Sequence, residues 1–128
     1  MPQDDPAINA ARDVMANHLD ALNRRDPTAV AATLHFPHYR LAGTKLTVWP
    51  TPDTYFADFR ARAGDDWAYT RWRRIRVQAA AADKVHLDVE IDRFDVEDRL
   101  IAAFRSLWVI SRIDGHWAAQ FRSSFAEA

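Results

Sequence analysis

From Tyr69 onward the apolar side chains recur at every second residue instead of every third or fourth, and no proline interrupts the chain. Few architectures accept such a run. A period of two gives each strand one face to bury, and the lack of proline suits long antiparallel strands bonded to one another. Strands are predicted at about Tyr69 to Ala79, Lys84 to Val96, Arg99 to Ile113 and His116 to Phe125, with hairpins at Ala81-Ala82, Glu97-Asp98 and Asp114-Gly115. An Asp-Gly pair tolerates the positive φ angles of a two-residue hairpin, so the last turn sets a register.

Counting back from it, Ile113 faces His116, Trp108 faces Phe121 and Ser106 faces Ser123. Counting from Glu97-Asp98, Ile91 faces Phe104, Val89 faces Ser106, Leu87 faces Trp108, and Glu90 faces Arg105 as a cross-strand ion pair. One face therefore carries Val85, Leu87, Val89, Ile91, Arg93, Phe104, Ser106, Trp108, Ile110, Trp117, Ala119, Phe121, Ser123 and Phe125, and helices must cover it. The other carries His86, Asp88, Glu90, Asp92, Arg105, Gln120, Arg122 and Ser124 around Leu107 and Val109, with Arg74, Arg76 and Gln78 from the first long strand. A charged sheet around a small apolar centre fits a homodimer interface and a solvated outer face equally well.

The first half of the chain supplies the cover. Asp5-Pro6, Asp26-Pro27 and Thr51-Pro52 each put a side-chain oxygen at the N-cap and a proline at the first helical position. The first helix carries Ile8, Ala11, Met15, His18, Leu19 and Leu22 on one stripe and ends near Arg25. The second runs from about Pro27 to Leu34, and the third carries Tyr55, Phe56 and Phe59 and stops near Gly64. Between them Phe36 to Leu41 and Lys45 to Trp49 read as two short strands around Ala42-Gly43-Thr44, with Pro37 restricting the first to a sheet edge.

The 128 residues suit one domain, and a composition 48% hydrophobic and 12% aromatic closes a core without metal or disulfide staples. With 17 basic and 18 acidic side chains there is no field to draw the chain to nucleic acid or an anionic membrane, and neither is expected as a partner. The absence of cysteine excludes disulfides, thiolate catalysis and cysteine-ligated metals. No histidine pair has metal-site spacing, no nucleophile elbow occurs, and no cofactor is implied. Met1 to Pro6 lacks the basic patch and apolar run of a secretory leader, and no apolar stretch approaches the ~18 residues of a membrane span, so a cytoplasmic protein is expected.

This order of elements resembles the nuclear-transport-factor-2-like superfamily, in its ketosteroid-isomerase-like or SnoaL-like form, over nearly the whole chain. The matching segments are Asn23-Arg24-Arg25-Asp26, Leu34-His35-Phe36-Pro37, Ser106-Leu107-Trp108-Val109, Asp114-Gly115-His116-Trp117 and the tail Gln120-Phe121-Arg122-Ser123-Ser124-Phe125, which is similar to an uncharacterised branch. The resemblance implies an α+β, cystatin-like cone: a curved antiparallel sheet wrapped around three N-terminal helices, with a pocket at its open end and commonly a homodimer. The outer-face residues His86, Asp88, Glu90, Arg105, Leu107, Val109, Gln120 and Arg122 would then form the dimer contact. In ketosteroid isomerases the general base is an aspartate immediately before a proline, a place held here by Phe36, which cannot take a proton. Scytalone-dehydratase-like members use histidine instead, and His35 and His38 flank that position.

His38 and Arg40 are two apart, so in a strand they point the same way and can present a base beside an anion clamp. Solvent exposure is the plainer reading of both. His35, between apolar neighbours, reads as a core histidine before it reads as a base. Arg93, Ser106 and Ser123 are polar on an apolar face, where an unpaired group costs about 1–3 kcal/mol. A ligand satisfies them, or the two serines bond to each other and Arg93 snorkels at the rim. Trp49 and Trp108 can wall a flat apolar ligand or simply fill the core. Two functions follow: a pocket for a small apolar or weakly anionic molecule, with isomerase-, dehydratase- or cyclase-like chemistry at His38, and a non-catalytic ligand-binding or dimerisation module.

Overall fold

The structure, a computed structural model, describes residues 5–126; Met1 to Asp4, on which the expected lack of a leader partly rests, lie outside them. The three proline-marked starts fold in two ways. Asp5 caps α1 (Pro6–Asn23), its Oδ1 accepting from Ala7 N–H at 2.9 Å and Ile8 N–H at 3.2 Å, and Asp26 caps α2 (Pro27–Ala32) by accepting from Ala29 N–H at 3.0 Å. Thr51 makes no capping bond; Pro52–Thr54 forms a 3₁₀ turn that leads into α3 (Tyr55–Ala63). Gly64 ends α3 at φ 88°, where a side chain would be strained. Among the described residues no helix is long and apolar enough to cross a membrane.

The strands are β1 (Leu34–Ala42), β2 (Lys45–Trp49), β3 (Tyr69–Ala80), β4 (Lys84–Phe94), β5 (Leu100–Ile113) and β6 (His116–Ser124), in the order β2-β1-β6-β5-β4-β3. β1 pairs parallel with β6, so the sheet is mixed rather than wholly antiparallel, and Pro37 is not on an edge. The proline is tolerated because the β1–β6 ladder shifts register between Leu34 and Tyr39, where no regular bond is required of it. The sheet curls over α1, whose Ala11, Met15, His18 and Leu22 are buried with Val85, Leu87, Val89, Ile91, Trp108 and Ile110.

Between β4 and β5 the register is as counted, with Leu87 opposite Trp108 and Ile91 opposite Phe104. Between β5 and β6 it holds from Ile113–His116 to Ile110–Ala119, and then a bulge at Gln120 shifts it by one. Val109 faces Phe121, Trp108 faces Arg122 and Ser106 faces Ser124. A one-residue slip reverses every later side chain. Arg122 and Ser124, expected outside, are buried; Phe121, Ser123 and Phe125, expected inside, are not, and Phe125 is 79% exposed. Trp108 and Phe121 thus lie on opposite faces, yet the core survives because the inversion is confined to the last turns of one strand.

The outer-face ion pair also differs from expectation. Glu90 and Arg105 are cross-strand neighbours, but Arg105 donates to Asp88 Oδ2 at 2.8 Å, which also accepts from Arg76 at 3.1 Å. Glu90 instead pairs with Arg73 at 3.3 Å, an extra outer-face residue supplied by a bulge in β3.

Candidate functional site

At the open end of the cone two adjoining spaces share Arg40, Arg93 and Phe104 in their walls. The inner one, a chamber of about 20 Å³, runs between α1 and the sheet; its walls are largely His18, Phe59, Trp72, Trp108 and Arg122. The outer one is an open basin of about 540 Å³ bounded by Arg62 at the end of α3, by Ile101 to Ala103 of β5 and by Phe125. Curvature creates the meeting point: Arg40 on β1 and Arg93 on β4 are separated by two strands in the sheet and still border the same opening.

Arg40, Arg62, Arg93 and Arg122 gather here, and among the described residues none of the four is in a salt bridge. Aromatic faces hold three of them, Arg62, Arg93 and Arg122, instead. The Arg122 guanidinium lies 4.9 Å from the centre of the Trp108 ring and donates to Tyr55 Oη. Arg93 lies 4.8 Å from Phe104 and 5.4 Å from Phe59, and Arg62 lies 5.4 Å from Trp49. The Nε atoms of Arg62, Arg93 and Arg122 and the indole Nε1 of Trp108 are buried donors without partners among the described residues. Burial pulls Arg122 down to about 10, with Arg62 and Arg40 adding repulsion; Arg40 and Arg93 fall to about 10 for the same reasons, burial first and neighbouring arginines second. All three remain cations at neutral pH, so the cluster is a preformed positive site rimmed by aromatic surface.

His18 lies at the back of the chamber between Trp72, stacked at 6.2 Å, and Trp108, edge-on at 5.2 Å. Burial lowers it to about 3, with the charge of Arg122 contributing, so it is neutral.

The expected site residues separate. Arg40, Arg93, Ser106 and Trp108 come together around the chamber. Ser106 Oγ donates to the backbone oxygen of Ser123 at 3.2 Å, while the Ser123 side chain is on the outer face because of the bulge. His38 does share the inward face with Arg40, but it is fully buried beneath Tyr55 and Trp49 and does not border the chamber. Its Nδ1 meets the Ala119 oxygen at 3.0 Å, Nε2 is sealed without a partner among the described residues, and burial, then Arg122, lowers it to about 2. Trp49 is buried and donates to Asp58 Oδ2 at 2.8 Å. His35 is half-buried, with Nε2 on the Ser111 oxygen at 2.8 Å and its ring against His116. Sequence reasoning missed Arg122, which alternation sent outward, and passed over His18, whose signal was visible: it is the polar member of an otherwise apolar stripe.

A curved sheet closed over three helices, with a cavity at the open end, defines the nuclear-transport-factor-2-like, or cystatin-like, fold. The chain has that fold. No protein-family model matches the sequence, and no curated protein does. Solved structures do. A protein of unknown function from Shewanella oneidensis aligns with a TM-score of 0.73 at 14% identity over 98% of this chain and 99% of its own. A ketosteroid isomerase-like protein from Erwinia carotovora aligns at 0.71 and 16% identity over 96% and 98%. A third, with a cystatin-like fold, from Novosphingobium aromaticivorans, reaches 0.74 at 13% identity over 94% and 81%. These likenesses define the architecture, and the chemistry has to come from the residues.

Proposed function

We propose that this protein binds a small organic anion, its charged group held between Arg40 and Arg93 at the neck of the cone and its apolar body against the basin wall of Phe104 and Phe125. The observation that supports this most is the gathering of Arg40, Arg62, Arg93 and Arg122 without a carboxylate partner among the described residues. Cations that lower one another's proton affinity are costly in the empty protein, and an anion relieves all of them at once. Isomerase-, dehydratase- or cyclase-like catalysis through His38 has less support, since both ring nitrogens are enclosed. Aryl carboxylates such as benzoate and naphthoate should raise Tm, by mass action worth about 2.7 kcal/mol at a hundredfold excess over Kd. The matching neutral amides should not, and Arg93→Met should remove the effect. Equal shifts for acids and amides would end the anion reading.

The homodimer reading also gains from the bulge. Pairing across the strands sets Val48, Tyr39, Phe121 and Val109 in one outward row, and Leu46, Leu41 and Leu107 in the next. These side chains are half-buried or exposed, beside a charged half already paired through Asp88, Arg76 and Arg105. The first row is apolar across all four strands and the second is interrupted only by Ser123 on β6, which supports association with a second copy about a two-fold axis.

A further inference from the structure

His18 has its tautomer set by its neighbours. The Thr33 hydroxyl has one hydrogen, and it is donated to the Val30 oxygen at 2.7 Å. In the 2.8 Å contact between Thr33 Oγ1 and His18 Nδ1, Thr33 must then accept and Nδ1 must carry the proton. A neutral ring protonated at Nδ1 has a lone pair at Nε2, and Nε2 makes no hydrogen bond among the described residues and is not one of the sealed atoms, so it reaches the chamber surface. It is an acceptor in a place where the unpartnered groups are otherwise donors: Arg93 Nε, Arg122 Nε and Trp108 Nε1.

Size decides what meets it. A water-sized group needs roughly 10–15 Å³ of such space, so a chamber of about 20 Å³ takes one such group and no more. A carboxylate, with three heavy atoms, is too large and stays at the neck with Arg40 and Arg93. A hydroxyl fits. Its hydrogen is donated to His18 Nε2, and its oxygen is free to accept from a neighbouring donor. An ether oxygen of the same reach has no hydrogen to give and leaves Nε2 unpaired.

Resting on the anion-binding reading, we propose that the site selects 2-hydroxy acids, the carboxylate at Arg40 and Arg93, the apolar body outward against Phe104 and Phe125, and the hydroxyl on the adjacent carbon turned into the chamber and donating to His18 Nε2. The probes are phenylacetate, both enantiomers of mandelate and the corresponding α-methoxyphenylacetates, titrated calorimetrically into the full chain. At least one mandelate enantiomer should bind about tenfold more tightly than phenylacetate, the factor that corresponds to 1.4 kcal/mol, and its methoxy counterpart should gain nothing. In His18→Phe the ratio of mandelate to phenylacetate affinity should fall to about one, whereas His18→Gln, whose amide oxygen can accept, should recover part of it. Nitrogen-15 NMR of the wild-type imidazole should show the Nδ1-protonated tautomer, with Nε2 shifting on addition of the hydroxy acid but not of phenylacetate. Phenylacetate binding with no preference for either mandelate enantiomer, or a preference that survives in His18→Phe, overturns this inference and leaves the anion reading standing. No binding by any of the acids overturns both.

Discussion

Replacing Arg122 by methionine should make the protein more stable and a poorer binder. The guanidinium is buried, and its fall from 12.5 to about 10 means that the folded state disfavours the cation by about 3 kcal/mol at neutral pH. Against this stands its stacking on Trp108, worth about 1 kcal/mol; the hydrogen bond to Tyr55 is already contained in that fall. Methionine keeps most of the apolar stem against Trp108 and removes the charge, for a net gain of about 1–2 kcal/mol and a rise in Tm of roughly 4–8 °C. Arg122→Met with Tyr55→Phe should gain slightly more, because no hydroxyl is left without its donor. Differential scanning calorimetry and benzoate titration on the same samples give both readouts, and anion affinity should drop at least tenfold. A loss of more than about 1 kcal/mol in both variants would refute the reasoning, since it would mean that Arg122 is compensated inside the folded chain and is no preformed anion site.

Acid should weaken the fold well above the carboxylate range. His18 and His38 have folded values of about 3 and about 2 against 6.5 unfolded, so the native state binds fewer protons; their contribution is complete above pH 6.5 and is lost as pH falls towards 3. Each costs about 2 kcal/mol between pH 6.5 and 5, and unfolding free energies from urea melts at pH 7.5 and 5 should differ by about 4 kcal/mol in all, by half that in His38→Gln; equal free energies contradict the burial of both rings. Phe121→Asp should yield a monomer by light scattering with the fold intact by circular dichroism, whereas a wild-type chain that is itself monomeric at 100 μM removes the dimer.

What the sequence disclosed follows from which signals have a period. The capped starts at Asp5 and Asp26 and the turn at Asp114-Gly115, with φ of 52° and 78°, are local chemistry and can be read residue by residue. So can the face of β4, where Val85, Leu87, Val89 and Ile91 alternate with His86, Asp88 and Glu90. The parallel pairing of β1 with β6 depends on segments some eighty residues apart, and nothing in Leu34 to Ala42 announces it. The bulge at Gln120 is equally silent: no glycine or proline marks it, and its Nε2 is held by the Pro37 oxygen at 2.6 Å, a contact that exists only after β1 has docked.

That single inserted residue links the two surfaces on which the protein's function would rest. Strict alternation puts Phe121 in the cone and Arg122 outside, which is the cheaper arrangement on hydrophobic grounds. The chain does the reverse, burying Arg122 behind Arg40 and Arg93 and leaving Phe121 beside Tyr39 and Val109. A local exchange this unfavourable persists only when the surroundings over-determine it, and such exchanges concentrate at functional positions. Here the cation gained by the cavity and the aromatic gained by the outer stripe arise from one shift of register, so restoring strict alternation in β6 would remove the proposed binding site and the proposed association surface together.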